Sequence, residues 1–445
     1  MTYRRLHPLR HRWLGASLVV STWALSAPSA LALQPVGEFL VHAKTWNAQN
    51  RAAHATAAQR DAELGISTGA LLPNLSATGT YTRNQFEVTT GNLFPGGLPT
   101  SITIPNSVIQ PQDQFDGNVI LNVPLINVAN WDRRSAAKAT LAGARADEEN
   151  SELTIEKNVL RSYYSLLGDE ALLLSAGKNL EIARHTLKLA QDRKESGTGS
   201  ELDVQRALAD QAKAEQTVTS AQLGVTNTRR DLYSLSGIVA EPGSAFPEDD
   251  LHEEGPLEGW TSNTVGIPSV KVARANRVTA EESARAVKHQ LLPTLYASAE
   301  EKLTNATAFT GGHAAAYLLQ LSATWRLDTT VSDQNRAQNA AAAVARASED
   351  QARLAAEDAV FKDWQQIRAD IDSARSARAQ VKAANLAASL AQDRYESGVA
   401  TQLDVLQARQ DAFAADVSRI QADADLAYAR LALRLDAGQL VKETR

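Results

Sequence analysis

The amino-acid sequence predicts an α+β membrane protein in which a few membrane-type strands join unusually long helices. Three features predict this fold class. A block of sequence occurs twice, four segments alternate apolar and polar residues, and the helix-forming stretches are longer than a compact domain uses. Together they indicate two similar halves, each with its own strands and long helix.

Composition sets the first limits on function. The chain has 445 residues, 22% of them charged, with a net charge of −6, no Cys and a mean hydropathy of −0.28. The absence of Cys excludes disulfides, thiolate metal sites, thiol nucleophiles and a lipobox anchor. The acidic balance gives no reason to bind nucleic acid. No phosphate-binding glycine loop, HExxH motif or nucleophile elbow occurs, so we predict no enzyme activity and no cofactor.

Residues 1–32 have the pattern of a secretory signal peptide. Four arginines precede an uncharged apolar run from Trp13 to Leu25, and small residues lead to a cleavage site after Ala32. The alternative is a transmembrane anchor, but the run is interrupted by polar residues and Pro28 short of the ~20 apolar residues that a spanning helix needs. A signal peptide predicts export from the cytoplasm.

An internal tandem repeat organises the rest of the chain. The block AQDRKESGTGSELDVQRA at residues 190–207 recurs without a gap as AQDRYESGVATQLDVLQA at 391–408. Each half is predicted to contain a helix, two strands and a long helical hairpin. The predicted segments are a first repeat at 33–237, a connecting segment rich in Pro, Gly and acid at 238–268, and a second repeat at 269–445.

Four segments alternate like membrane strands: about 75–83, 115–125, 294–303 and 315–327. In the last, Tyr317 and Trp325 lie on the apolar face, about 26 Å apart at ~3.3 Å per residue. That separation matches the ~25 Å apolar band and aromatic girdles of an outer-membrane barrel. A soluble sandwich gives the same alternation. Four strands cannot close a barrel, since the smallest have about 8, so a membrane barrel must be shared between chains.

The helices predict a long coiled coil. From about Ala129 to Ser196 there is no Pro, and such a helix is about 100 Å long at ~1.5 Å per residue. Apolar residues recur every seven positions, as sustained coiled-coil packing requires; they are Val159, Leu166, Leu173, Leu180 and Leu187. A soluble periplasmic coiled-coil protein, such as an adaptor, explains the helices equally well. It does not explain the strands.

Both long helices end in a short glycine turn, with the predicted tips near 196–203 and 397–404. The turn residues are Ser196, Gly197 and Thr198 in the first repeat and Ser397, Gly398 and Val399 in the second. Each return helix then opens with Leu-Asp-Val, which contains Asp203 or Asp404. A carboxylate in the first helical turn is stabilised by the helix dipole by about 0.3–1 kcal/mol, so helix capping is an alternative role for both Asp residues.

The sequence resembles the TolC-like family of outer-membrane efflux and secretion channels over essentially all of the mature chain. The motifs that carry the resemblance are the duplicated Leu-Leu-Pro before a strand, the tips RKESG and RYESG, and the two Leu-Asp-Val sequences. The resemblance implies a homotrimer in the bacterial outer membrane. Three sets of four strands would close a 12-stranded barrel, continuous with a periplasmic helical tunnel.

The resemblance also implies a passive exit duct for efflux or type I secretion. The tips would dock a periplasmic adaptor joined to an inner-membrane transporter of the RND, ABC or MFS type. By the same resemblance, Asp404 lines the pore constriction as an acidic ring, while Asp203 and Tyr395 belong to links that hold the entrance shut. This chain has Ala400 where the family has a base and Gln407 where it has a second acid. These departures call into question a latch built on that base, and they leave a single ring.

Two clusters of acidic residues have electrostatic consequences. Three carboxylates around a narrow axis repel one another, which raises their pKa, and they attract cations. His252 lies among four acidic residues of the connecting segment, so a periplasmic metal-binding protein is a second alternative function. Acidic loops of this kind are usually solvated, and we predict no metal site.

Overall fold

The computed structural model describes residues 33–90, 107–243, 248–262, 264–326 and 328–439. The predicted signal peptide lies outside these ranges. The helices are α1 Val36–Trp46, α2 Ala48–Gly69, α3 Val128–Glu195, α4 Glu201–Ser236, α5 Leu257–Thr261, α6 Pro268–His289, α7 Thr330–Glu396 and α8 Gln402–Asp436. The strands are β1 Asn74–Arg83, β2 Val88–Thr89, β3 Val108–Gln110, β4 Asp113–Ile126, β5 Thr294–Thr304 and β6 Ala315–Thr324.

The four long strands form one antiparallel sheet in the order β1-β4-β5-β6. Three of them occupy the segments predicted from alternation, whereas the strand predicted over 315–327 ends at Thr324. The physical reason is the register, because Thr324 pairs with Thr294, the first residue of β5 after Pro293. Strands β1 and β6 are unpaired edges of this sheet among the described residues.

The helices continue the row that the strands begin. Beside the sheet, α3 packs against α2 and α6, and α6 packs against α7, giving the order α2-α3-α6-α7. Beyond the ends of α2 and α6, α3 packs against α4 and α8, and α8 packs against α7. The second order is therefore α4-α3-α8-α7. Helix α3 has 68 residues, which makes it about 100 Å long at ~1.5 Å per residue.

Each helical hairpin has its own apolar core. In the first, Phe39 of α1 packs with Val159 of α3 and Leu232 of α4, all fully buried. In the second, Ile367 of α7 packs with Leu426 of α8. A smaller cluster around Leu160, Leu431 and Leu435 joins α3 to α8. This third cluster therefore joins the two hairpins in one layer of helices.

A buried carboxyl lies where α3, α7 and α8 meet. The Oδ2 atom of Asp363 is buried and has no hydrogen-bond partner among the described residues. Next to it, Lys157 forms an ion pair with Asp436. Burial and the neighbouring Asp436 raise the pKa of Asp363 to about 7, and Lys157 acts in the opposite direction.

We expect Asp363→Asn to stabilise the protein at neutral and alkaline pH. Because its pKa is higher in the native than in the unfolded chain, Asp363 keeps its proton on folding between about pH 4 and about pH 7, and native stability falls as pH rises through that window. The variant should lack this part of the fall. Melting temperatures of both proteins in detergent, measured across the window, check this. If the two melting temperatures changed with pH in parallel, with no gain for the variant at higher pH, the prediction would be contradicted.

Candidate functional site

The two tips are built in the same way. Gly197 and Gly398 adopt positive φ angles of 77° and 76°, which end α3 and α7. The return helices α4 and α8 begin within six residues of these glycines. The tips therefore place the two Leu-Asp-Val sequences at one end of the helical row, opposite the sheet.

Both tip aspartates complete capping boxes. Ser200 Oγ donates to Asp203 Oδ2 at 2.8 Å, and the backbone N–H of Asp203 donates back to Ser200 Oγ at 3.1 Å. Thr401 Oγ1 and the Thr401 backbone N–H donate to Asp404 Oδ2 at 2.8 and 2.9 Å. Capping, the alternative that the sequence left open, is the role that both residues have within the protomer.

Asp404 remains exposed and charged despite its capping role. Hydrogen bonds from the Thr401 side chain and then its backbone hold the pKa of Asp404 below its ordinary value. Gln407, one turn further along, donates to Asp411 Oδ1 at 3.2 Å. Ala400 offers no side-chain charge. Each protomer therefore presents the Asp404 carboxylate at the start of α8, with no acid at position 407.

Tyr395 contacts Arg193 at the end of α3 and does not contact Asp203. Its side chain is only 6% exposed, and the Arg193 guanidinium carbon lies 4.1 Å from the centroid of its ring. No hydrogen bond joins Tyr395 to Asp203 in the described part of the chain. Sequence reasoning missed Arg193 as a partner. The only available signal was its place in the first tip motif.

The opposite end of the row carries an exposed apolar sheet face. Tyr317 and Trp325 are 78% and 65% exposed, and Leu319 and Leu321 between them are 71% and 67% exposed. The indole N–H of Trp325 donates to the Leu291 carbonyl at 2.9 Å. Among the described residues nothing covers the two leucines, so the sheet presents an exposed apolar face of the kind that marks an interaction surface.

The acidic connecting segment surrounds a buried arginine. Arg430 of α8 has a side chain that is 8% exposed, and it donates to Asp249 at 2.8 and 3.0 Å and to Glu254 at 2.6 Å. It also donates to the His252 carbonyl at 2.7 Å. The guanidinium thus neutralises two carboxylates of the connecting segment, Asp249 and Glu254. Sequence reasoning missed this role for Arg430.

Among the described residues, Asp249, Asp250 and His252 have ligand atoms close enough for one metal ion. Asp250 and His252 bond to each other at 2.5 Å, and this bond holds the pKa of Asp250 below its ordinary value. Because Arg430 occupies both oxygens of Asp249, the group does not favour a metal.

None of the helices within the described ranges is long and apolar enough to cross a membrane.

Fold and site together define a class of protein. An open antiparallel sheet with an exposed apolar face, joined to a helical row about 100 Å long, is typical of an outer-membrane channel with a periplasmic extension. The chain belongs to the outer membrane efflux protein family, whose family model matches residues 42–238 and 266–439. It is therefore an outer-membrane efflux protein.

Comparisons with individual proteins agree. The chain is 23% identical over 97% of its length to outer membrane efflux protein BepC of Brucella suis biovar 1, and the match covers 91% of BepC. The structure of VceC from Vibrio cholerae is similar with a TM-score of 0.76 at 18% identity, covering 92% of this chain and 97% of VceC. The structure of the Campylobacter jejuni CmeC outer membrane channel is similar with a TM-score of 0.73 at 16% identity, covering 98% of this chain and 96% of CmeC.

Proposed function

We propose that three copies of this chain form one passive exit duct across the outer membrane. A single observation carries the proposal: in the described part of the chain, the row of strands and the row of helices are both open at both ends. An open sheet edge is not tolerated in lipid. Pairing β6 of one copy with β1 of the next removes every edge. Three copies of the four-stranded sheet give the 12-stranded barrel that the resemblance implies.

The end helices of the row support association between copies. Helices α4 and α7 carry large apolar side chains that the described residues leave exposed. They are Leu208, Leu223, Leu354, Leu386 and Leu390, each between 49% and 60% exposed. Placing α4 of one copy beside α7 of the next would bury them. The coiled-coil barrel would then continue the strand barrel along its whole length.

The two faces of the sheet fit this arrangement. In the register, Leu121, Ala299 and Leu319 form one cross-strand row, flanked by Asn122, Ser298 and Gln320 on the other face. An apolar exterior and a polar interior are typical of a membrane barrel. We assign Tyr317 to the outer aromatic girdle and Trp325 to the periplasmic one, because β6 continues into α7 at the Trp325 end.

The duct needs no enzyme activity and no cofactor, because the partner pump supplies the energy. We assign residues 33–237 and 269–445 to two repeats and both tips to docking a periplasmic adaptor, which would join an inner-membrane transporter. Asp404 would line the entrance as an acidic ring. The closeness of the two tips at one end of the row supports these assignments.

The copy number tests the proposal. Protein extracted from the outer membrane in detergent is weighed by native mass spectrometry. We expect three copies in one complex. A monomer recovered from the soluble periplasmic fraction would contradict the proposal and favour the soluble adaptor alternative.

We expect Asp404→Ala to weaken cation selectivity and divalent block in planar bilayers while leaving the trimer intact. Three exposed carboxylates attract cations at the entrance, and alanine removes all three charges. Asp203→Ala is the matched control, because it removes the same capping interaction from the other tip. Unchanged selectivity in Asp404→Ala, or an equal loss in Asp203→Ala, would count against a pore role for Asp404.

A further inference from the structure

We propose that Arg193 fastens the two tips of one protomer together and thereby holds the periplasmic entrance closed. The inference rests on the proposed function, since it concerns the entrance of that duct. Its basis is a contact between the first and second tips that involves neither Asp203 nor a base at position 400. Arg193 is thus a positioning residue for the closed state.

Three attractive interactions converge on the Arg193 guanidinium. Its carbon lies 4.1 Å from the centroid of the Tyr395 ring, within the distance at which a cation is attracted by the face of an aromatic ring. Its Nη2 atom donates to the carbonyl oxygens of Tyr395 at 3.0 Å and Glu396 at 3.4 Å. These carbonyls end α7, where the helix dipole favours a positive charge.

The backbone of Arg193 is held by its own tip. The backbone N–H groups of Thr198 and Gly199 both donate to the Arg193 carbonyl at 2.9 Å. The ion pair at this tip joins Lys194 to Glu201, and Arg193 forms no ion pair with a carboxylate in the described part of the chain. The backbone of Arg193 is fixed in the first tip and its side chain contacts the second tip, so Arg193 bridges the two tips.

A second arginine confines the effect of this bridge to the tips. Arg409 of α8 donates to Gln392 of α7 at 2.7 Å and also hydrogen-bonds buried Thr186 of α3. Above the tips, α3, α7 and α8 therefore stay attached without Arg193. Loss of the Arg193 contact should release the entrance and leave the hairpins folded.

The contact uses the ring of Tyr395 and not its hydroxyl. The Tyr395 hydroxyl makes no hydrogen bond with the residues that the structure describes, whereas the ring face and the backbone carbonyl both contact Arg193. Phenylalanine at position 395 should therefore preserve the closed state, while leucine should not. A link through the tyrosine hydroxyl would give the opposite result for phenylalanine.

The experiment measures channel opening of the purified trimer in planar bilayers. We expect Tyr395→Leu to raise the ratio of open to closed entrances about tenfold, which corresponds to losing a desolvated cation–ring contact. Arg193→Ala should raise the ratio at least as much, because it also removes the two hydrogen bonds to backbone carbonyls. The double variant should open no further than Arg193→Ala alone, because that variant already removes every part of the contact. Tyr395→Phe should behave as the wild type.

Arg394→Ala is the matched control. Arg394 holds the same place in the second tip motif. Its charge acts on Asp404, but its guanidinium makes no hydrogen bond or ion pair within the described ranges and does not join the two tips, so opening should not change. Equal melting temperatures would show that the variants stay folded. If Arg193→Ala opened no more often than the wild type, or if Tyr395→Phe opened as often as Tyr395→Leu, the bridge would be contradicted while the proposed duct would stand. If no protein conducts, wild type included, the proposed duct fails as well.

Discussion

Leu321→Arg is expected to prevent stable assembly in the outer membrane. Leu321 lies midway between Tyr317 and Trp325 on the apolar face of β6 and is 67% exposed in the protomer. An arginine on the lipid-facing side of a barrel at the bilayer midplane costs about 2–4 kcal/mol, and each of three copies would carry one. The amount of trimer in the outer-membrane fraction measures the effect.

The neighbouring residue gives the control for this prediction. Gln320 lies on the other face of the same strand, which the proposal places in the lumen. Gln320→Arg should therefore assemble as well as the wild type and change only ion selectivity. If Gln320→Arg were the damaging variant and Leu321→Arg were tolerated, the two faces of the sheet would be assigned the wrong way round.

Arg430→Ala is expected to lower the free energy of unfolding by about 3–5 kcal/mol, because it leaves Asp249 and Glu254 as buried carboxylates without their cation. Their side chains are only 16% and 8% exposed, so both carboxylates depend on the guanidinium more than exposed carboxylates would. The connecting segment should detach from α8 and become sensitive to protease. The unfolding midpoint in denaturant and the rate of limited proteolysis both measure this loss.

An exposed arginine of the same hairpin provides the comparison. Arg375 pairs with Asp372, and their side chains are 56% and 74% exposed. Exposed pairs contribute about 0–1 kcal/mol, so Arg375→Ala should change the midpoint little. Equal destabilisation by the two variants would mean that Arg430 does not organise the connecting segment.

The sequence predicted those parts of the fold that depend on local periodicity. Alternation located β1, β4 and β5 because most residues on one face of the sheet are apolar, although Glu301 of β5 lies on that face beside Tyr317. The sevenfold spacing of apolar residues and the absence of Pro located α3, because both are local features of a continuous helix with one apolar face. The end of β6 was not predictable from alternation, because it is set by the first residue of its partner β5.

Contacts between distant segments explain what the sequence could not predict at the site. Arg193 and Tyr395 come from the tips of different hairpins, and each looks like an ordinary helix-end residue in its own motif. The acids around His252 suggested a metal site because their actual cation, Arg430, lies 178 residues away from His252 on α8. Only packing reveals such partners.

The central claim is that copies of this chain enclose a duct through the outer membrane. Its most direct test is the current through a planar bilayer after addition of the detergent-purified complex, recorded across a salt gradient. We expect stepwise increases in conductance with a reversal potential that shows a preference for cations. Folded complex that produces no conductance steps would contradict it.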